Sequence, residues 1–365
     1  MSGAAVPLVK TLTYTNPLHF GGNTGREDHD ELRDPCVIRE GDTYYLVATM
    51  WPFTDSSAQD AAKPDLNSSP GIRLYSSQDL THWTPGPWLV KSSDSPDDCP
   101  YKHRFWAPEI HKIGGKFYLI FTADNWLKPE YNANKHFGYH AFLGVADRLT
   151  GPYEHISYMP DSACDTTILG DDDGHVYAYM PFGDIFVQEL DLSRLSENVV
   201  GHKSARRKIV SADFGDIGKP SPKYLEGPWA MKIGKRYYLF YAETFPDPGG
   251  YQTGVAYADN PLGPWRKDPR GAVFWGGHLA VFNGPDGRYW FSYRGEKYRS
   301  TRGFLCVDPF DIDAQGVVQC TGPSLAPIAV PIRRPAPSAG PRHPAERRQG
   351  SSGRGRSTRG TGPGR

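Results

Sequence analysis

Between Asp34 and Thr49 the chain carries an extended run, a turn at Gly41-Asp42, and a second run, Thr43-Tyr44-Tyr45-Leu46-Val47-Ala48, of aromatic and β-branched residues. Two such runs joined by Gly and Asp predict a β-hairpin. The second half of that unit returns at Gly115-Lys116-Phe117-Tyr118, Gly174-His175-Val176-Tyr177, Gly234-Lys235-Arg236-Tyr237-Tyr238 and Asp286-Gly287-Arg288-Tyr289-Trp290, which makes five copies. More strand follows the hairpins. After the first, Gly71-Ile72-Arg73-Leu74-Tyr75 alternates as a third strand, turns at Ser77-Gln78-Asp79 and continues past Trp83 as an edge strand. The second and fourth copies end alike, in Thr150-Gly151-Pro152-Tyr153 and Leu262-Gly263-Pro264-Trp265.

Repeats of roughly fifty to seventy residues, each a hairpin plus further strand, predict the blades of a propeller, whose equivalent strands surround one axis. The fold class is therefore all-β, a five-bladed β-propeller. Aligned on Tyr45, Tyr118, Tyr177, Tyr238 and Trp290, the copies carry Asp34, Trp106, Asp165, Glu226 and His278 about a dozen residues earlier. In a closed ring those positions converge on one end of one channel. Hydrolysis of a glycosidic bond needs carboxylates gathered in this way.

Composition adds most at the ends of the chain. Many Gly and Pro residues with short strands agree with all-β structure, and 365 residues fit one large domain of that class. Five cysteines, Cys36, Cys99, Cys164, Cys306 and Cys320, are odd in number and lack Cys-x-x-Cys spacing, so they read as mostly reduced thiols. The first residues lack a basic region and an apolar run of signal-peptide length, and no later stretch is long enough to span a membrane. That predicts a cytoplasmic protein as written, and a secreted one if the start is misassigned.

Zero formal charge conceals an asymmetry. From Ile332 to Arg365 there are nine arginines, one glutamate and no lysine, about +8 against about −8 for the remainder. Rich in Pro, Gly and Ser, this stretch cannot bury a core. We place the propeller at 1–325 and a disordered Arg/Pro/Gly/Ser-rich tail at 326–365. The tail reads as a dispensable extension rather than an arm for an anionic partner, so nucleic acid is not expected as a partner. No Gly-rich phosphate loop opens a helix, and no redox or nucleotide cofactor is expected.

The motifs Arg33-Asp34-Pro35, Ser76-Ser77-Gln78-Asp79-Leu80-Thr81-His82-Trp83, Trp106-Ala107-Pro108-Glu109, Asp165 ahead of Asp171-Asp172-Asp173-Gly174, Glu226-Gly227-Pro228 and Gly276-Gly277-His278 follow in order over all five repeats. From about Asn16 to Pro323 the sequence resembles glycoside hydrolase family 43, five-bladed propellers that include β-xylosidases, α-L-arabinofuranosidases and arabinanases. The resemblance implies an inverting hydrolase with Asp34 as general base, Glu226 as general acid, and Asp165 tuning and orienting the acid. It also implies a role in carbohydrate metabolism such as xylan degradation, with an arabinose- or xylose-containing oligo- or polysaccharide as substrate. Inversion needs one carboxylate to deprotonate a water and a protonated carboxyl on the other face of the sugar to protonate the leaving oxygen, roughly 6.5–9.5 Å apart. A nearby anion such as Asp165 helps keep the acid protonated.

The same resemblance makes Trp51 and Trp106 walls of a sugar pocket, with Phe53 a weaker case, and puts His278 on the axis near the sugar or a water-coordinated cation, often calcium. It admits a structural calcium there, while no residue is assigned as a metal ligand. Arg294 follows the last repeat and suits a sugar hydroxyl or carboxylate. Asp171-Asp172-Asp173-Gly174 lacks the alternating ligands and distal Glu of a calcium loop and reads as a hairpin turn. His103, His111, His136 and His140 show no metal-ligand spacing.

Long loops at Asp55 to Pro70, Lys91 to Arg104 and Asp124 to His140 would rim one face and close a pocket, which favours exo action. An endo-arabinanase or a galactosidase of the same family is the nearest alternative. Sucrose- and fructan-cleaving propellers rank lower, because their acid is a Glu followed by Cys and here Gly227 follows Glu226. A non-catalytic carbohydrate-binding propeller is the rival of another class, and the presence of all three carboxylates argues against it.

Overall fold

The computed structural model describes residues 11–18, 31–51, 71–125, 140–245, 250–296 and 303–332, apart from the side chains at 31, 50, 51 and 296. After β1 (Thr11–Tyr14), β2 (Glu31–Glu40), β3 (Thr43–Trp51), β4 (Gly71–Ser77) and β5 (Thr84–Lys91) form the first antiparallel sheet. The second sheet is β6 (His103–Ile113), β7 (Lys116–Asp124), β8 (His140–Ala146) and β9 (Glu154–Tyr158). The third contains β10 (Thr167–Gly170), β11 (Val176–Phe182), β12 (Asp184–Asp191), β13 (Gly201–His202) and β14 (Arg207–Val210). In the fourth stand β15 (Tyr224–Ile233), β16 (Arg236–Thr244), β17 (Tyr251–Ala258), β18 (Arg266–Lys267) and β19 (Phe274–Trp275). The fifth holds β20 (Gly277–Asn283), β21 (Tyr289–Glu296), β22 (Gly303–Ile312) and β23 (Val318–Cys320), and β24 (Ile328–Pro331) follows it.

The first strand of each sheet touches the first strand of the next: β2 meets β6, β6 meets β10, β10 meets β15, β15 meets β20, and β20 returns to β2. That closed circuit makes the five sheets blades around one axis. Blade faces pack through apolar side chains set by the strand alternation, as where Phe291 stacks on Phe310 at 4.0 Å and meets Phe240 edge-on. The matching Gly-Pro-aromatic endings do matching work. Tyr153 Oη donates to the Leu149 carbonyl, and Trp265 Nε1 to the Pro261 carbonyl, each four residues back.

The ring closes with residues from before the first blade. Asn16 pairs with Val307 of β22 as a backbone would, accepting from its N–H at 3.0 Å and donating to its carbonyl at 2.9 Å, and Leu18 N–H donates to Leu305 O. The lead-in segment thus lines the fifth blade before the chain enters the first. Buried Asp308 gathers Tyr14 Oη, Asn16 Nδ2, Tyr293 Oη and Ser324 N–H on one carboxyl group. Ser292 of β21 accepts from Val37 N–H and donates to Pro35 O, tying blade five to blade one.

The folded unit runs past the expected boundary at 325. Ile328–Pro331 pairs antiparallel with Thr11–Tyr14, with Val330, Leu12 and Tyr14 buried. Pro, Gly and Ser content marks the tail, yet the short apolar run Ile328-Ala329-Val330 pairs in register and buries Val330. Among the described residues the folded unit runs at least to Pro331.

Candidate active site

In four blades the inner strand is bulged at the same place. Asp34-Pro35, Ala107-Pro108, Gly227-Pro228 and His278-Leu279 each put two residues opposite one of the neighbouring strand. Asp165-Thr166 takes this place just ahead of β10. The first residue of each pair has positive φ: Asp34 53°, Ala107 44°, Asp165 62°, Gly227 49° and His278 49°. Such bulges re-aim side chains, and they aim these at the axis. The five positions expected from the sequence are therefore of two kinds. Asp34, Asp165 and His278 are the left-handed residues themselves, whereas Trp106 and Glu226 each precede one.

Gly227 shows why its position needs glycine. A Cβ there would lie 2.7 Å from Cγ of His278, so the imidazole packs directly on the Glu226-Gly227 backbone. His278 is buried, with Nδ1 3.0 Å from Asp34 Oδ1 and 3.7 Å from Asp165 Oδ2. Burial by itself would lower its pKa, but Asp34 and Asp165 outweigh that and carry it up to about 10. It is an imidazolium at neutral pH.

The carboxylates divide accordingly. Burial works against ionising Asp34, yet His278, Thr49 and Arg294 hold its pKa down at about 2. Glu226 is pushed up to about 7 by burial and by the charge of Asp165. Asp165 is itself raised by burial and Asp34, with His278 acting against them. One aspartate is ionised and one glutamate retains its proton into the neutral range, a division that suits a base and an acid.

Several supporting residues were not visible in the sequence. Thr49 Oγ1 lies 2.6 Å from Asp34 Oδ2 and 2.6 Å from the backbone N of Ala107. Tyr251 Oη donates to Glu226 Oε1 at 2.7 Å, and the guanidinium of Arg294 lies over the Tyr251 ring. The Cys164 thiol, raised well above its ordinary pKa by burial and by Asp165, donates to Asp165 Oδ1 at 3.0 Å, while Asp165 N–H donates to Thr122 Oγ1. Strands β3 and β7 supply the two threonines, brought into reach by the register of Thr49 with Arg33 and of Thr122 with Trp106, while β17 supplies Tyr251 and Cys164 is the chain neighbour of Asp165.

Two residues further along the inner strands stand Cys36, Glu109, Thr167, Trp229 and Ala280. Glu109 accepts from Thr167 Oγ1 at 2.6 Å and is 2.7 Å from His111 Nε2, and the His111 ring stacks on Trp229. Calcium takes roughly six to eight oxygen ligands. Here the one carboxylate of the layer is engaged by His111 and Thr167, and His278 Nδ1 faces Asp34. Among the described residues no group of three or more His, Cys, Asp or Glu side chains is placed to share an ion. The side chains of this layer do not supply that set directly, so a calcium here would be held largely through water.

Trp106 is half-buried at the register position of Glu226, and Arg294 pairs with Gly277 beside His278. The side chain of Trp51, and Phe53 with most of the loops at 55–70 and 124–140, lie outside the described residues. The loop from Lys91 to Arg104 is described and tied down: Asn125 Nδ2 donates to Asp97 O and Cys99 O, and Lys102 binds Ser95 O. Asp171-Asp172-Asp173-Gly174 is a hairpin turn, closed by Gly174 N–H on Asp171 O, with Asp171 bound to Lys232 and Tyr237. All five cysteines are free.

Fold and site together define a class: a five-bladed β-propeller with an imidazolium-centred carboxylate cluster on its axis. The family model for glycosyl hydrolases family 43 matches residues 29–318, and the chain belongs to that family. It is 26% identical over 239 residues to an extracellular exo-α-(1→5)-L-arabinofuranosidase of Cellvibrio japonicus, covering 58% of each chain. It is 25% identical to a xylosidase/arabinosidase of Humicola insolens over 70% of this chain and 46% of that protein. This chain thus spans about half the length of these two relatives. A β-D-galactofuranosidase of Aspergillus niger is 24% identical over 74% of this chain and 78% of that protein. Among solved structures, a thermostable family-43 glycoside hydrolase superposes with a TM-score of 0.65 at 22% identity, over 88% of this chain and 99% of that one.

Proposed function

We propose that this protein is an inverting glycoside hydrolase, exo-acting on arabinose- or xylose-containing oligo- or polysaccharides. The observation that carries the reading is the split between an ionised Asp34 and a protonated Glu226 on one propeller axis. In the reaction Asp34 removes a proton from water as the water oxygen bonds to the anomeric carbon. The glycosidic bond breaks on the opposite face, and Glu226 gives its proton to the leaving oxygen. Asp165 raises the Glu226 pKa and, through His278, shares the charge that holds Asp34 ionised. Arg294, Trp106 and Trp51 are assigned to sugar binding by their places in the chain. Exo action and the pentose preference rest on the names of the relatives. Of the two locations, the cytoplasmic one draws support from the free cysteines, and among the described residues no helix is long and apolar enough to cross a membrane.

The test is hydrolysis of nitrophenyl α-L-arabinofuranoside, β-D-xyloside, β-D-galactoside and β-D-galactofuranoside, with arabinan and xylan oligomers, by wild type, Asp34→Ala and Glu226→Ala. Turnover of a pentoside that falls by about 10²–10⁴-fold in both variants is expected. Equal activity of Glu226→Ala on the oligomers would remove Glu226 as the acid, and no turnover by folded wild type on any substrate would leave a binding propeller as the better reading.

A further inference from the structure

We propose that Thr49 is a positioning residue for the general base, a switchless clamp that fixes the Asp34 carboxylate from the side opposite His278. Hydrogen counting fixes the direction of both bonds to this hydroxyl. The Ala107 backbone N–H can only donate, and at 2.6 Å it donates to Thr49 Oγ1. A hydroxyl has one hydrogen, and it is thereby directed at the other partner, Asp34 Oδ2, also at 2.6 Å. The second carboxylate oxygen, Oδ1, faces His278 Nδ1 at 3.0 Å. Both oxygens of the base are held, one by blade one and one by blade five, and the plane of the carboxylate is set.

The hydroxyl is anchored in a second blade, so it cannot swing away with its own strand. Thr122 shows the same anchoring one blade on, where its Oγ1 accepts from Asp165 N–H at 3.1 Å. At Thr49 the anchor is extended to a carboxylate. The backbone gives this grip its purpose: Asp34 sits at φ 53°, in a region L-residues occupy at a cost, and a side chain launched from there needs outside contacts to hold one direction. The other charged and titratable groups facing Asp34 are His278, Asp165, Glu226, Arg294 and Tyr251. The Thr49 replacement removes a hydroxyl and none of these side chains.

The inference rests on Asp34 being the base, and its test separates the two claims. In Thr49→Val, with Thr49→Ala as the smaller variant if the first misfolds, kcat falls by about tenfold or more with KM within about twofold, and Thr49→Ser restores it. In an Asp34→Asn background the same replacement changes kcat by less than about twofold, because the carboxylate it serves is gone. Carboxyl ¹³C NMR, with the Asp34 signal assigned by Asp34→Asn, shows the Asp34 midpoint rising by about one unit in Thr49→Val and returning in Thr49→Ser. Wild-type kcat in Thr49→Val, an equal fold-loss in both backgrounds, or an unmoved Asp34 midpoint overturns the proposal. If wild type cleaves no glycoside, the proposed function fails while the NMR measurement still decides the role of Thr49.

Discussion

An ordinary glutamate would be ionised well below neutral pH; Glu226 keeps its proton up to about 7 because burial and Asp165 both penalise its charge. Asp34 ionises at about 2, so in the proposed base and acid roles the productive combination of charged Asp34 and protonated Glu226 spans the acidic range and is lost above neutrality. Activity should therefore fall as pH rises through about 7. Tyr251 supplies the counterweight, since its hydroxyl favours the charged form of Glu226. Tyr251→Phe removes that bond and should move the basic limb of kcat upward by about half a unit to one unit, measured on the best substrate found. A limb that stays or moves down would show that Tyr251 does not set the acid. Residues of this kind carry no signal in a sequence. Tyr251 sits in an unremarkable strand and becomes relevant only because β17 folds back to place it beside Glu226.

The functional unit at the scale of elements is the bulged start of each inner strand. Asp34-Pro35, Glu226-Gly227-Pro228 and Gly277-His278 look like ordinary turn dipeptides in isolation, and only their recurrence at one offset argued for more. That offset was legible to within one residue. Its ambiguity hid the distinction between the left-handed residue and the one before it, because tyrosine-anchored spacing cannot count an extra residue in a bulge. Gly227→Ala tests the element directly. Its Cβ would collide with the His278 ring, and its φ of 49° disfavours any side chain. The variant should lose about 1–2 kcal/mol of stability from backbone strain alone. It should lose activity well beyond that, read from a denaturant melt beside kcat.

The whole molecule depends on how the circle is closed. Asn16 and Leu18 bond to β22, β1 pairs with β24, and Asp308 collects donors from the lead-in segment, β21 and the chain after β23. A propeller blade buries its faces on two neighbours, so an opened ring leaves apolar faces of blades one and five in water. Asp308→Ala strands four buried or half-buried donors and should cost on the order of 3 kcal/mol or more. The expected readout is a lowered unfolding midpoint with kcat nearly unchanged at low temperature; an unchanged midpoint would show that closure does not depend on this carboxyl.

The blades, their number, and the three carboxylates and histidine at their inner ends were legible along the chain, because a repeated hairpin writes period-two alternation and Gly/Asp turns locally and five times over. It also marked Asp171 to Gly174 as a turn, from the missing ligand pattern. Tertiary structure alone decided which groups surround those carboxylates. The grip of Thr49 and His278 on Asp34, the bond from Tyr251 to Glu226, and the return of Ile328–Pro331 to Thr11–Tyr14 join residues 15 to hundreds of positions apart. Local propensity has no access to such pairings. They arise only once the ring is closed and five separate strands share an axis.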